Sequence, residues 1–178
     1  MYAMLQTGER VTMDRETYEA LGAEVRGEYI DGELVVSPSP TQRHQRIIRN
    51  LVIALMGAVT PTIDVLSEWA WKPDTDEFIP DVIVFDRTED QPRLGAVPHL
   101  AVEVLSNEPA RDTIRKFHKY ASAGLQHYWI IDPDEPTIIV YALRDGTYIE
   151  TGRHPAGTFP TLDIGVLQLS IDPIDLIA

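Results

Sequence analysis

The stretch HLAVEVL, residues 99–105, decides the fold. It is almost wholly apolar, which is typical of a strand that is buried on both faces near the centre of a mixed sheet. Glu103 is the one acidic residue inside it. A second apolar run, IPDVIVF at residues 79–85, has the same character and carries Asp81 directly after a proline. The two runs therefore predict neighbouring central strands, each with one carboxylate in an apolar setting.

The sequence on either side of these strands alternates between helical and strand patterns. The clearest helix covers residues 41–57, in which apolar residues recur on one face. Asp31-Gly32 separates two strand-forming runs and predicts a hairpin turn. The other predicted elements are helices over 13–21 and 110–123, strands over 63–71, 127–131 and 166–170, and hairpins over 26–37 and 137–151. We expect an α/β (α+β) fold, a mixed β-sheet core flanked by helices with an added N-terminal β-hairpin, as a single domain over residues 1–178.

Composition restricts the classes of function that the chain can have. None of its 178 residues is a cysteine, which excludes disulfides, thiolate metal sites and a cysteine nucleophile. We find no apolar run of the ~20 residues that cross a membrane, and we expect a cytoplasmic protein without a membrane partner. The formal charge of −13 opposes nucleic-acid binding, because Lys and Arg provide most contacts with phosphate.

Asp81 and Glu103 are candidates for a metal site. A carboxylate in a buried strand is unfavourable unless it is paired or bound to a cation. Two such carboxylates on adjacent strands can converge, and their hard oxygen atoms suit Mg²⁺ or Mn²⁺. The alternative is that both acids lie at strand ends and pair with Arg or Lys. The pattern alone favours neither.

Other polar residues could complete such a site. Lys116 shares a helical face with Asp112 and with either Lys119 or Tyr120, so a lysine could project toward the two acids. An ordinary solvated helix face would give the same spacing. Glu28 shares a strand face with Ile30 and could point inward as a third acid.

Basic residues on the predicted helices are the places where this acidic chain could meet phosphates. Arg43, Arg46 and Arg49 recur every third residue of the long helix, with His44 beside them. A second cluster comprises Arg111, Arg115, Lys116 and Lys119. We name Arg43, His44, Arg46 and Lys119 as candidate nucleic-acid contacts. The alternative is that the stripe is only the solvent side of a helix.

Several common catalytic motifs do not occur in the sequence. It has no Gly-rich nucleotide loop, no G-x-S-x-G elbow and no H-E-x-x-H pair. The sequence therefore does not support a nucleotide-binding loop, an α/β-hydrolase or a zinc protease of the H-E-x-x-H type.

The order of these motifs resembles the Uma-type restriction endonuclease family of the PD-(D/E)XK nuclease superfamily. The resemblance covers roughly residues 12–150. It is carried by EYIDGE (28–33), SPSP (37–40) with RHQ (43–45), IPDV (79–82), AVEVLS (101–106), Arg111-Asp112, Lys116, Tyr120, AG (123–124) and YWIIDP (128–133).

The resemblance implies a restriction-endonuclease-like core and a metal-dependent endodeoxyribonuclease that uses Mg²⁺ or Mn²⁺. By resemblance, Asp81 and Glu103 would be metal ligands, Lys116 the catalytic lysine and Glu28 an additional acid. The wider superfamily has a lysine two residues after the glutamate, where this chain has Leu105. Lys116 is the match on the following helix, and Lys119 is its nearby competitor.

Two functions follow as hypotheses. The first is a Mg²⁺- or Mn²⁺-dependent enzyme that hydrolyses phosphodiester bonds of DNA. The second is a catalytically silent protein with a nuclease fold that acts through protein–protein contacts, which the net charge favours. We also expect a homodimer, and the apolar residues 171–178 would pack either between subunits or within one chain.

Overall fold

The computed structural model describes residues 9–22, 27–36, 39–106 and 110–178. Arg26, Ser37, Pro38 and the side chain of Arg111, which the sequence predictions include, lie outside the described residues. The strands are β1 (Arg10–Thr12), β2 (Gly27–Ile30), β3 (Glu33–Val36), β4 (Ile63–Ser67), β5 (Val82–Asp86), β6 (Leu100–Val104), β7 (His127–Asp132), β8 (Thr137–Arg144), β9 (Thr147–Pro155), β10 (Thr161–Asp163) and β11 (Gln168–Ser170). The α-helices are α1 (Arg15–Ala20), α2 (Gln42–Met56) and α3 (Ala110–Ser122).

A six-stranded mixed sheet in the order β4-β5-β6-β7-β8-β9 forms the centre of the fold. Its neighbouring strands are antiparallel except for β6 and β7, which are parallel. A parallel pair requires a long crossover, and α3 lies in the connection between these two strands. The predicted mixed sheet with flanking helices is confirmed, with the acid-bearing strand β6 in its interior.

The sheet has a separate apolar core on each face, because successive side chains of a strand point to opposite sides. One core joins the sheet to α2 and to the C-terminal segment. It includes Leu51, Leu55, Val82, Val84, Val102, Val104, Leu169 and Leu176. The other core joins the sheet to α3, to β2 and to the segment between β4 and β5. It includes Ile30, Trp71, Phe78, Ile83, Ala101, Tyr120, Tyr128 and Ile130. Glu103 lies two residues after Ala101 on β6, so its side chain points to the face of the sheet that α3 covers.

The predicted N-terminal hairpin is present as β2 and β3. Asp31 and Gly32 have φ values of 52° and 78°, the left-handed conformations of a two-residue hairpin turn. The hairpin joins the rest of the chain through Tyr29 and Glu77, whose backbone N–H groups each donate to the other's carbonyl oxygen at 2.9 and 2.8 Å. These bonds fix β2 beside the segment that leads to Asp81.

Gly27 is expected to be required for this hairpin. A Cβ atom on Gly27 would lie 2.8 Å from the carbonyl oxygen of Val35 and 2.6 Å from Leu34 Cδ1, which are both too close. We expect Gly27→Ala to lower the free energy of unfolding by about 1–3 kcal/mol, as other overpacked sites do. Urea unfolding measures this, with Gly95→Ala as the matched control because nothing lies within 4 Å of its Cβ position. Equal stability of the two variants would contradict the close packing.

The structure corrects two of the predicted strands. We expected Asp81 inside a strand over residues 79–85. β5 begins at Val82, so Asp81 lies immediately before the strand. Pro80 lacks the N–H group that a central strand requires, which accounts for the later start. The predicted strand over 63–71 ends at Ser67, where Glu68 turns the chain with a positive φ of 53°.

The C-terminal part contains two short strands, β10 and β11, where the sequence predicted one. Of residues 171–178, Ile171 and Leu176 belong to the core under α2. Asn50 of α2 also donates from Nδ2 to the Leu176 carbonyl oxygen at 3.1 Å. Ile171 and Leu176 therefore pack within the chain, while Ile174 of the same segment remains exposed. None of the described helices has the length and apolar character that crossing a membrane requires.

Candidate active site

Four charged side chains from four parts of the chain meet at one end of the central sheet. They are Glu28 of β2, Asp81 just before β5, Glu103 of β6 and Lys116 of α3, and we call them the acid–lysine cluster. Each is largely covered, with side-chain exposures of 5%, 15%, 14% and 14% respectively. The sequence named all four residues as candidates, and the fold brings them together.

Lys116 is the centre of the acid–lysine cluster. Its Nζ atom lies 3.1 Å from both carboxylate oxygens of Glu103 and 3.0 Å from Oε1 of Glu28. One helical turn later, the Tyr120 hydroxyl donates to Oε1 of Glu103 at 2.7 Å. Residues four apart share a helix face, so α3 directs both donors at the same carboxylate.

Asp81 is held from two other directions. Its Oδ2 atom accepts the backbone N–H of Val104 at 2.7 Å, which connects it to the residue after Glu103. The same oxygen lies 3.2 Å from Nε2 of His44 in the first turn of α2. The two carboxylates of the predicted metal pair are therefore supported by different helices, Asp81 by α2 and Glu103 by α3.

Glu28 connects the N-terminal hairpin to the cluster. Its Oε1 atom accepts both the Lys116 ammonium and the backbone N–H of Ile79, the latter at 2.7 Å. Ile79 lies two residues before Asp81. A single buried carboxylate thus joins the lysine to the segment that carries one of the acids, and Glu28 does point inward.

The charges in the acid–lysine cluster are unevenly balanced. Burial raises the pKa of Glu103 to about 8, and Asp81 and Glu28 add to this effect although Lys116 opposes it. Burial lowers the pKa of Lys116, but the attraction of Glu103, Glu28 and Asp81 is larger and raises it well above its usual value. Three carboxyl groups around one ammonium cannot all ionise without an excess of negative charge, and a further cation would favour the ionised form of Glu103.

The pKa of His44 is also set by burial and by neighbouring charges. Burial lowers its pKa, but the hydrogen bond and the negative charge of Asp81 outweigh this effect, and its pKa lies above the usual value. The sequence grouped His44 with the arginines as a contact for nucleic acid. The structure directs its ring to Asp81 instead.

The other candidate contacts for nucleic acid lie away from the cluster. Arg43 and Arg46 are exposed, and Arg43 pairs with Asp134 at 2.9 Å. At 3.6 residues per turn, Arg46 lies on the side of α2 away from the buried residues, whereas Arg43 lies at the edge of the buried face, one turn before Ile47. Their stripe is therefore solvent-exposed, and it does not face Asp81 or Glu103.

Lys119, the competitor of Lys116, has different partners. It pairs with Asp31 of the hairpin turn and with Asp76, the latter at 2.8 Å. Of the two lysines, Lys116 is the one that contacts Glu103 and Glu28.

The donor set fits a hard divalent cation that is bound by two carboxylates. Among the described residues, no group of three or more His, Asp or Glu side chains has an arrangement that could hold a metal ion by itself. Mg²⁺ is commonly bound through one or two carboxylates, with waters and substrate phosphates completing its coordination. Asp81 and Glu103 would be the oxygen ligands of such a site, and a bound cation would offset the repulsion between their carboxylates.

The sequence did not identify Glu68 and Gln45 as part of this region. Gln45, next to His44, donates from Nε2 to Oε1 of Glu68 at 3.3 Å, and the Glu68 N–H donates to the Asp81 carbonyl oxygen at 3.2 Å. The only local signal was an acidic residue in the run predicted as the strand over 63–71. Its contact with Gln45 depends on tertiary packing, which no spacing in the sequence encodes.

Comparison with known proteins identifies the family. The model of the Uma2 family, described as "Putative restriction endonuclease", matches residues 15–173, most of the chain. A solved structure from Anabaena variabilis, described as a "putative nuclease belonging to DUF820", has the same fold with a TM-score of 0.69 and 22% sequence identity, over 87% of this chain and 91% of that one. No curated protein matches the chain significantly. The extent of the family match shows that the chain belongs to the Uma2 family of restriction-endonuclease-like proteins.

Proposed function

We propose that this protein is a metal-dependent endonuclease that hydrolyses phosphodiester bonds of DNA. Asp81 and Glu103 would hold one Mg²⁺ or Mn²⁺ ion, and Lys116 and Glu28 would complete the catalytic set. The observation that carries the proposal is geometric: the largely buried carboxyl groups of Glu103 on β6 and of Asp81 just before the neighbouring β5 repel each other beside Lys116, whose Nζ atom lies 3.1 Å from both oxygens of Glu103. A cation between Asp81 and Glu103 would relieve that repulsion. Family membership adds support, since the family is described as a restriction endonuclease.

The cluster's own residues have separate roles in this proposal. When bound, a divalent ion polarises a phosphoryl oxygen and lowers the pKa of coordinated water. Lys116 would keep a positive charge at a fixed place and donate a hydrogen bond to the charge that develops on the phosphate. Glu28 would hold the ammonium in that direction, because its Oε1 atom is itself fixed by the Ile79 N–H. The low exposure of all four side chains would strengthen these charge interactions.

Contacts with the DNA backbone are proposed for Arg43, Arg46 and Lys119. Arg46 has an exposed side chain, and Arg43 and Lys119 would exchange their present acidic partners for phosphates. With a net charge of −13, binding would depend on these few cations and would weaken steeply with salt. A homodimer would provide the two sites needed to cut both strands.

A Mn²⁺ titration tests the metal site. We expect calorimetry to detect binding to the wild type and to find at least a ~100-fold loss of affinity in Asp81→Asn and Glu103→Gln, because each ligand supplies a charged oxygen. Asp86→Asn is the matched control, since Asp86 lies at the other end of β5 and is 78% exposed. Circular dichroism establishes that each variant is folded. A wild type that binds no Mn²⁺, with or without a DNA oligonucleotide, would contradict the metal site.

A cleavage assay separates the enzyme from the silent alternative. We expect the wild type to nick or linearise plasmid DNA with Mn²⁺ or Mg²⁺ and to be inactive in chelator. Mn²⁺ binding without cleavage of any tested DNA or RNA would favour a protein that acts through protein–protein contacts. Sedimentation of the same samples reports whether the chain is a dimer.

A further inference from the structure

We infer that the first turn of α2 is a positioning element for Asp81, in which His44 orients the carboxylate and Gln45 supports the backbone that carries it. This inference rests on the proposed function, because it gives His44 a role in preparing a metal ligand. It assigns His44 to the active site and removes it from the candidate contacts for phosphate.

The direct contact is between the His44 ring and the Asp81 carboxylate. Nε2 of His44 lies 3.2 Å from Oδ2 of Asp81, the same oxygen that accepts the Val104 N–H at 2.7 Å. Within the described part of the chain, both contacts fall on Oδ2, which leaves Oδ1 as the oxygen for a cation. Two donors on one oxygen fix the rotation of the carboxylate about its Cβ–Cγ bond. A ligand fixed in this way loses less conformational freedom when it binds a cation.

The position of the His44 ring follows from how α2 begins. Thr41 caps the helix, and its Oγ1 atom accepts the His44 N–H at 3.2 Å. His44 therefore lies in the first turn, with its backbone fixed by the cap. Its side chain is 14% exposed, and its Nδ1 atom is buried without a hydrogen-bond partner among the described residues. In that part of the chain, Asp81 is the polar contact of the ring.

A second, indirect contact supports the Asp81 backbone. Gln45 donates to the carboxylate of Glu68 at 3.3 Å, and the Glu68 N–H donates to the Asp81 carbonyl oxygen at 3.2 Å. Glu68 has a φ of 53°, a left-handed conformation that is uncommon for a residue with a side chain. Such conformations persist where surrounding contacts maintain them, and they concentrate at functional sites. Consecutive residues of α2 thus contact the Asp81 carboxylate directly and the Asp81 main chain through Glu68.

The arrangement favours this role over a contact with phosphate. The side chain of His44 is largely covered, whereas those of Arg43 and Arg46 are exposed. A histidine that bound DNA would be expected among the exposed cations. A histidine that only packed against the core would not need its nitrogen beside a carboxylate.

Variants of His44 test the inference. His44→Leu removes the N–H donor at similar size, and His44→Gln keeps a donor at about the same reach. Arg49→Leu is the matched control on the exposed side of the helix. We expect Mn²⁺ affinity, measured by calorimetry, to fall about 10–100-fold in His44→Leu and to stay within about threefold of the wild type in His44→Gln and Arg49→Leu.

Two further readouts make the result independent of activity. We expect the Asp81 carboxyl ¹³C resonance in chelator to shift in His44→Leu and to remain unchanged in Arg49→Leu. DNA affinity in chelator should be unchanged in His44→Leu. The inference is overturned if His44→Leu keeps both the wild-type resonance and the wild-type Mn²⁺ affinity, or if it loses only DNA affinity. Failure of the proposed function is different, since the wild type itself would then bind no Mn²⁺.

Discussion

Replacing Lys116 with methionine is expected to reduce the rate of DNA cleavage about 10²–10³-fold and to lower the free energy of unfolding by about 3–5 kcal/mol. The catalytic loss follows because the variant has no positive charge at the position where the phosphate would develop negative charge. The loss of stability follows because Glu28 and Glu103, with 5% and 14% of their side chains exposed, would remain buried without their ammonium partner. Single-turnover cleavage and urea unfolding in chelator measure the two effects separately.

Lys119→Met is the matched control for this variant. It removes the same charge three residues later, from pairs with Asp31 and Asp76 that are more exposed. We expect it to change stability by about 1 kcal/mol or less. If Lys116→Met does not fold, the double variant Glu28→Gln/Lys116→Met removes one of the unpaired charges and should recover part of the stability. Equal effects of Lys116→Met and Lys119→Met on cleavage would contradict the assignment of Lys116 as the catalytic lysine.

Glu103→Gln is expected to abolish metal-dependent cleavage and yet to stabilise the metal-free protein at neutral and higher pH. The pKa of Glu103 is raised by burial and by Asp81 and Glu28 to about 8. A carboxyl group whose pKa is higher in the folded than in the unfolded state contributes stability that is complete below its unfolded pKa. That contribution is lost as the pH rises through the folded value. Glutamine is neutral at every pH and avoids the loss, which we expect to give a gain of about 1–3 kcal/mol at pH 8.

The pH dependence of the difference tests this explanation. The free energy of unfolding of Glu103→Gln minus that of the wild type should increase between about pH 4.5 and about pH 8 and should be constant above that range. Urea unfolding in chelator at several pH values gives this difference, and Asp86→Asn provides the control. A difference that is independent of pH would mean that Glu103 titrates near its ordinary value. Glu103→Gln and Lys116→Met both break the ion pair between Glu103 and Lys116, but they should change stability in opposite directions.

The sequence predicted the sheet because its signals are local. The apolar runs containing Asp81 and Glu103, and the Asp31-Gly32 turn, depend on neighbouring residues, and these elements are present in the structure. The boundaries were less accurate, since Pro80 delays β5 and the left-handed Glu68 ends the region of β4. The sequence did not predict the parallel pairing of β6 with β7, although α3 in the connection between them is the long crossover that a parallel pair requires.

The contacts of individual polar residues were harder to predict, because they depend on tertiary packing. Spacing placed His44 beside Arg43, and only the packing of α2 against the sheet shows that the two side chains have opposite surroundings. The sequence named Lys116 as the catalytic lysine with Lys119 as its competitor, and the docking of α3 directs Lys116 at Glu103. The contact of Glu68 with Gln45 joins residues 23 positions apart and has no periodic signature.

The support of the two carboxylates by different helices has a consequence for how the protein would lose activity. His44 of α2 contacts Asp81, whereas Lys116 and Tyr120 of α3 contact Glu103. Local unfolding of either helix would therefore release one carboxylate while most of the sheet remained intact. A chain that still shows native strand content by spectroscopy could already be inactive. During heating or denaturant titration, activity would be lost when the less stable of α2 and α3 unfolds. The strand signal in circular dichroism would be lost only when the sheet itself unfolds.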